Sequence, residues 1–150
     1  MVKNLENLYA YEISHMLSNN EINPILLLEY YLENYNNANE NIKLSFTKVI
    51  KENAFKEATI AWKRQKENNR LGPLDGLPIA WKDVIDMSNA PAFAGSNLLK
   101  SYRNTKNISD ALVVRTAKKK GLVSVAKTST VEFAFGGIGM NQSNPLPNNL

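Results

Sequence analysis

The sequence predicts an α/β fold in which helices outnumber strands. Helical periodicity fills the first third of the chain, strand-like and helical segments alternate after it, and no repeat or linker divides the 150 residues. Alternation of this kind favours one layered α/β domain. Because so few strands cannot cover the helices, we expect an incomplete sheet in which both later strands have open edges.

Helices are predicted where apolar or small residues recur three and four positions apart. The second helix begins at Asn23-Pro24, a cap followed by a first-turn proline, and ends near Asn36. In the last third, Ser109 or Asp110 is expected to cap a helix that Gly121 ends. The first helix is supported by Leu5, Leu8, Tyr9, Ile13, Met16 and Leu17, and the third by Ala54, Ala58, Ala61, Trp62 and Gln65.

Three segments have the pattern of strands. Residues 42–50 alternate apolar and polar side chains, as expected for a half-buried strand. Residues 79–85 form a short apolar run broken only by Lys82 and Asp83, and residues 122–126 have the apolar character of a buried strand. The predicted order is therefore helix, helix, strand, helix, strand, helix, strand.

The composition excludes several kinds of site. Cysteine is absent, which excludes a disulfide framework, a thiolate zinc site and a cysteine nucleophile. The single histidine, His15, excludes His-rich metal sites and leaves a Ser-His-Asp triad one candidate base. A net charge of +4 is too small to indicate nucleic acid, and no apolar run approaches the ~20 residues of a membrane span. The polar segment after Met1 is no signal peptide, so we expect a cytoplasmic protein, without metal or other cofactor.

Lys82 is the first residue with the potential to carry chemistry. In a strand, Trp81 and Asp83 point to one face and Lys82 points to the other. A lysine in an apolar strand loses hydration, which favours a neutral amine able to act as a general base or as a Schiff-base nucleophile. The alternative is that Lys82 lies at a strand end and reaches water, or pairs with Asp83 or Asp86.

Two glycine-containing patterns fall short of nucleotide-binding motifs. Gly121 and Lys127-Thr128 have nearly the spacing of a P-loop, but the residues between them form the predicted strand rather than a turn. Residues 136–139 do not link a strand to a helix, as a dinucleotide fingerprint requires. The loop at 136–139 is therefore interpreted either as support for a substrate cleft or as a plain turn.

Residues 72–139 resemble the amidase signature family, which includes amidases and the A subunit of glutamyl-tRNA amidotransferase. The matching segments occur in the family's order and at roughly its spacing, and they cover about half of the chain. They are residues 72–83, 94–96, 119–129 and 132–137, with Asn144-Pro145 matching an Asn-Pro that precedes the family's catalytic glycine-serine loop. The resemblance implies the N-terminal part of the amidase-signature fold, a mixed sheet covered by helices. Residues 1–40 would be its helical N-terminal segment and residues 41–150 the start of its α/β core.

The family hydrolyses amides with a Ser-Ser-Lys triad, and the resemblance implies that Lys82 is the lysine. In the family this lysine takes a proton, through a bridging serine, from the nucleophilic serine that forms the acyl-enzyme. Backbone N–H groups of the glycine-serine loop make the oxyanion hole. The resemblance also implies that Ala134, Gly136 and Gly137 line the substrate cleft through their backbone.

Neither serine of the triad can be placed in the 150 residues. Ser129 and Ser143 lack the glycine-rich context of the family's loop, so neither is given a role. We therefore expect a truncated amidase, inactive alone. Its expected partners are a small-molecule amide when complete and a complementing fragment or subunit, with no membrane and no support for nucleic acid. The alternatives are an interaction module that pairs its open strand edges with a partner, and a decayed gene product without activity.

Overall fold

The computed structural model describes residues 5–142 and 144–148, and Ser143 lies outside them. The helices are α1 (Ala10–Ser18), α2 (Pro24–Asn37), α3 (Glu40–Lys43), α4 (Lys51–Lys66), α5 (Asn97–Tyr102) and α6 (Leu112–Lys119), and the strands are β1 (Phe46–Val49), β2 (Pro78–Lys82) and β3 (Val123–Thr128). The predicted order is confirmed, with α3 and α5 as short additions. Within these ranges, every helix is too short or too polar to span a bilayer.

The sheet is mixed and has the strand order β1-β3-β2. Strand β3 pairs with β1 in the antiparallel sense and with β2 in the parallel sense. A mixed α/β sheet of three strands confirms the predicted fold class. The expectation that both later strands have open edges is wrong for β3, because β1 occupies the side of β3 that β2 leaves free.

Helices α2 and α4 pack against each other, and α4 also packs on β3, so they form a layer beside the sheet. The predicted cap of α2 is confirmed, since Oδ1 of Asn23 accepts hydrogen bonds from the backbone N–H groups of Ile25 (3.0 Å) and Leu26 (2.9 Å). Helix α4 presents small side chains to this layer, which brings its backbone close to its neighbours. Its buried face consists of Ala54, Ala58, Ala61 and Gln65.

The strand predicted for residues 42–50 is shorter than expected. Helix α3 occupies its start, and β1 is confined to Phe46–Val49. Oδ1 of Asn39 accepts a hydrogen bond from the backbone N–H of Ile42 (2.9 Å), which caps α3. An alternating pattern cannot separate one capped helical turn from the start of a strand, so the prediction erred at this boundary.

The start of α6 also differs from the prediction. Its N-cap is Ala111, which makes no side-chain capping bond. The carboxylate of Asp110 instead accepts hydrogen bonds from the backbone N–H of Ser88 (2.8 Å) and from Nζ of Lys118 (2.6 Å). Asp110 therefore ties the loop after β2 to α6 rather than capping the helix.

A buried ion pair holds the turn that leads into β2. Nε and Nη2 of Arg64 donate to the two carboxylate oxygens of buried Asp75, at 2.8 and 2.5 Å. The hydrogen bonds that Arg64 donates to Asp75 raise the pKa of Arg64, although burial opposes that shift. The backbone N–H of Gly76 donates to the carbonyl of Gly121 (2.9 Å), and Gly121 ends α6 as predicted with a φ of +82°. The end of α6 and the start of β2 are thus fixed to each other.

Candidate active site at the carboxyl ends of two parallel strands

The carboxyl ends of β2 and β3 lie side by side at one edge of the sheet. Lys82, the last residue of β2, is the register partner of Thr128, the last residue of β3. The backbone N–H of Asp83 donates to the carbonyl of Thr128 (3.0 Å), which continues the ladder by one residue. In α/β proteins, ligands bind beyond the carboxyl ends of the parallel strands. This edge is therefore the place at which Lys82 can meet a substrate.

The predicted alternation of side chains along β2 is confirmed. Trp81 and Asp83 are buried, and Lys82 between them is exposed. The indole N–H of Trp81 donates to Oγ of Ser124 (3.1 Å), which anchors the buried face of the strand. Nζ of Lys82 donates to the carbonyl of Ser129 (2.7 Å) on the other side.

The expectation that Lys82 is withdrawn from water is wrong for this chain. Strand β2 is an edge strand, and the described residues leave the face that carries the amine open to solvent. The ammonium is nevertheless held in one place by the carbonyl of Ser129. The catalytic role of Lys82 remains a prediction.

The buried lysine at this edge is Lys127, on the central strand. Its side chain is 1% exposed, and its ammonium donates to the carbonyls of Ile85 and Ala90 and lies 3.5 Å from Oδ1 of Asp83. Burial lowers the pKa of Lys127, while the carboxylate of Asp83 opposes the shift. Sequence reasoning considered this lysine only as part of a P-loop pattern. The signal that could have found it is topological, because a side chain on a central strand has neighbours on both sides.

The loop that follows β2 is tied down by polar contacts. The carboxylate of Asp86 accepts hydrogen bonds from the backbone N–H of Ala92 (3.0 Å) and from Nη2 of Arg103 (2.7 Å). Burial opposes the ionisation of Asp86, but these hydrogen bonds outweigh it and lower the pKa of the carboxyl. The backbone N–H of Ala94 then donates to the carbonyl of Asp83 (2.8 Å), so the loop returns to the end of β2.

Asn144 lies in the same region, held by a small amide network. Its Nδ2 donates to the carbonyl of Gly95 (2.8 Å), and Nδ2 of Asn141 donates to the same carbonyl (2.9 Å). Gly95 has a φ of +65°, and a Cβ at this position would come within 2.5 Å of the carbonyl of Thr130. The close approach of these backbones therefore requires glycine at position 95.

A cleft of about 550 Å³ opens beside these groups. Asp83, Lys127 and Ser129 lie on its wall, and so do Asn144 and Pro145. The Asn-Pro pair that the resemblance singled out thus lines the same cleft as Ser129, whose carbonyl accepts from Lys82, although Lys82 itself is not among the lining residues.

Ala134, Gly136 and Gly137 lie on an exposed loop. Ala134 has a φ of 56°, and the backbone N–H of Phe133 before it donates to the carbonyl of Ala94 (2.8 Å). A Cβ at Gly137 would meet nothing within 4 Å. The three residues are not among those that line the cleft of about 550 Å³, and their contact with a substrate remains a prediction.

Comparison with known proteins identifies relatives in sequence and in structure. The family model described as "Amidase" matches residues 26–149. The A subunit of the glutamyl-tRNA(Gln) amidotransferase of Chloroflexus aurantiacus is 33% identical over 133 residues, which are 89% of this chain and 26% of that protein. The 2-amino-5-chloromuconic acid deaminase of Comamonas testosteroni is 43% identical over 79 residues, 53% of this chain and 16% of that protein. A solved structure described as "Crystal structure of amidase" is 26% identical and superposes with a TM-score of 0.80, covering 95% of this chain and 31% of that one.

These matches agree with the motifs and with the fold. The chain spans about a quarter of the length of the glutamyl-tRNA(Gln) amidotransferase A subunits that it matches. The resemblance to the amidase signature family is confirmed, as is the expectation that the mixed sheet corresponds to part of an amidase fold. Since the family model matches well over half of the sequence and the fold agrees with it, this chain belongs to the amidase family.

Proposed function

We propose that the chain supplies the lysine of a Ser-Ser-Lys amide hydrolase. Lys82 is the base, and both serines come from polypeptide outside these 150 residues. The observation that carries the proposal is the position of Lys82. It ends an edge strand, its amine is held by the carbonyl of Ser129 (2.7 Å), and the face around it is open to an added segment.

The chemistry requires a neutral amine at position 82. Polypeptide packed over the open face of β2 would remove water from the amine, and loss of hydration favours its neutral form. That amine would take a proton, through the bridging serine, from the nucleophilic serine as it attacks the amide carbon. The proton then passes to the amide nitrogen of the substrate, which leaves as ammonia or an amine, and water hydrolyses the acyl-enzyme.

The substrate class follows from the reaction type. A small-molecule amide would enter beyond the carboxyl ends of β2 and β3, beside the cleft that Asn144 and Pro145 line. The backbone of Ala134, Gly136 and Gly137 would contact it after the exposed loop is covered. The names of two relatives, a deaminase and one component of an amidotransferase, agree with chemistry at a carbon–nitrogen bond.

A chimera tests this proposal. The chain replaces the segment that it matches in the Chloroflexus aurantiacus relative, and ammonia release from simple amides is measured. We expect turnover by the chimera and none by the 150-residue chain alone. Lys82→Ala should reduce turnover to background, whereas Lys63→Ala, which removes an exposed lysine of α4 that does not line the cleft, should not. Turnover that survives Lys82→Ala would refute the assignment of the base.

A second candidate function is that of an interaction module, and one observation favours it. A mainly apolar cavity of about 500 Å³ opens between the N-terminal helices and the sheet, with Tyr31, Phe46 and Ile79 among its lining residues. Phe135 and Ile138 are 94% and 81% exposed. Apolar surface of this kind is typical of protein contacts. Mixing the chain with the remainder of the same relative tests this function, because a stable complex without ammonia release would favour the module over the hydrolase.

A further inference from the structure

Lys127 and Lys82 lie on neighbouring strands, and their side chains lie on opposite faces of the sheet. In the parallel ladder Trp81 pairs with Lys127, and Lys82 pairs with Thr128. The ammonium of Lys127 reaches Asp83, on the same face as Trp81, whereas the ammonium of Lys82 reaches Ser129. The two lysines therefore do not compete for one site.

The oxygens that meet the ammonium of Lys127 all belong to the segment directly after Lys82. They are the carbonyl of Ile85, the carbonyl of Ala90 at 3.4 Å and Oδ1 of Asp83 at 3.5 Å. An ammonium has three N–H donors, so these three oxygens match its capacity. A buried cation is costly unless it is paired, and the segment 83–90 is therefore held against β3.

The β2–β3 ladder contains an irregularity near its start, where its register shifts between Ile79 and Ala80. A slip of one residue at the far end would turn Lys82 to the buried face and Trp81 to solvent. The burial of Trp81 and its hydrogen bond to Ser124 oppose such a slip from within β2, and the contacts beyond the end of the strand add to them.

We propose that Lys127 is a positioning residue, which clamps the end of β2 to β3 and thereby sets where the amine of Lys82 lies. The relevance of this clamp to catalysis rests on the proposed function of Lys82. The clamp consists of the contacts of Lys127 with Asp83, Ile85 and Ala90, and it acts on Lys82 through the backbone bond from Asp83 to Thr128.

The test uses the 150-residue chain and measures the chemical reactivity of the Lys82 amine directly. Limiting acetic anhydride acetylates each lysine at a rate that mass spectrometry measures, and Lys63, whose side chain is 75% exposed, is the internal reference. Hydrogen exchange of the Asp83 amide, which donates to Thr128, is the second readout. In Lys127→Met we expect the acetylation rate of Lys82, relative to that of Lys63, to rise about threefold. We expect the hydrogen-exchange rate of the Asp83 amide to rise about tenfold. Both changes are in the range expected for the loss of one or two hydrogen bonds.

Lys48→Met is the matched control. Lys48 is the register partner of Lys127 on β1, and its Nζ donates to the carbonyl of Asn89 (3.1 Å) in the same loop, but not to the end of β2. Both readouts should keep their wild-type values in this variant. If circular dichroism shows that Lys127→Met is unfolded, Lys127→Gln decides instead, because its amide keeps N–H donors in the buried site but its shorter side chain cannot reach all three oxygens.

The outcomes separate this inference from the proposed function. Wild-type values of both readouts in a folded Lys127→Met, or in the deciding Lys127→Gln, would overturn the clamp. An equal change in Lys48→Met would overturn it as well, because the effect would then belong to the loop in general. Neither readout depends on amide turnover, so an active Lys82→Ala chimera would refute the base and leave the clamp standing.

Discussion

Gly121 is a position at which one added methyl group should cost much of the stability of the chain. Its φ is +82°, a conformation in which a side chain costs about 1–2 kcal/mol. The Cβ of Gly121→Ala would overlap Oδ1 of Asp75 and would come within 3.0 Å of Nη2 of Arg64. Asp75 is 1% exposed, so it cannot turn to water, and the displaced bond to Arg64 is worth about 1.5–3 kcal/mol. We expect Gly121→Ala to reduce the free energy of unfolding by about 3–5 kcal/mol.

Urea denaturation followed by circular dichroism measures this loss. Gly137→Ala is the matched control, because a Cβ there meets nothing within 4 Å and its φ is not positive. The control should change the free energy of unfolding by less than about 0.5 kcal/mol. A loss below about 1 kcal/mol in Gly121→Ala would refute the reasoning, since it would mean that Arg64 and Asp75 rearrange without cost.

Three further predictions concern the helix cap, the carboxylates and the sheet edge. Asn23→Ala should reduce the free energy of unfolding, measured by urea denaturation, by about 1 kcal/mol, because the backbone N–H groups of Ile25 and Leu26 lose their acceptor. Asn36→Ala, at an exposed position of the same helix, should leave it unchanged. The pKa values of Asp86 and Asp110 are lowered, so the stability that these carboxylates give the fold is present above pH 4 and is lost as pH falls below 3.8. The melting temperature should therefore drop as the pH falls below 3.8, and the drop should be smaller in Asp86→Asn than in the wild-type chain. The chain should form oligomers in light scattering as its concentration rises, and Ala80→Lys on edge strand β2 should reduce them, whereas a concentration-independent monomer would contradict this expectation.

Much of the fold could be predicted because its signals are local. Asn23-Pro24 marks the start of α2 by the capping chemistry of two adjacent residues, and the structure has both bonds. The alternation around Lys82 likewise placed Trp81 and Asp83 on one face and Lys82 on the other, although it did not show that the face of Trp81 is the buried one. Helix α3 was missed because it is only one turn long and therefore too short to show a helical periodicity. Its start is determined by the cap at Asn39 instead.

The environment of each lysine could not be predicted in the same way, because it depends on strand order. Strand β1 pairs with β3, which lies more than 70 residues later in the sequence, and this pairing makes β3 central. Lys127 is consequently buried, although its local sequence is no more apolar than that of Lys82. Lys82 is exposed because β2 has a partner on one side only. The same residue type therefore has opposite surroundings on two neighbouring strands.

This difference explains why an exposed Lys82 is compatible with a base. A lysine that is already buried, such as Lys127, has its donors committed to Asp83, Ile85 and Ala90, and cannot exchange protons with an incoming hydroxyl without giving up those bonds. Within the described part of the chain, Lys82 makes one hydrogen bond, to the carbonyl of Ser129, and its side chain is exposed. A serine brought to the face that carries Lys82 would meet an accessible amine. The contacts of the two lysines therefore favour Lys82 over Lys127 as the proposed base, and Lys127 as the proposed positioning residue.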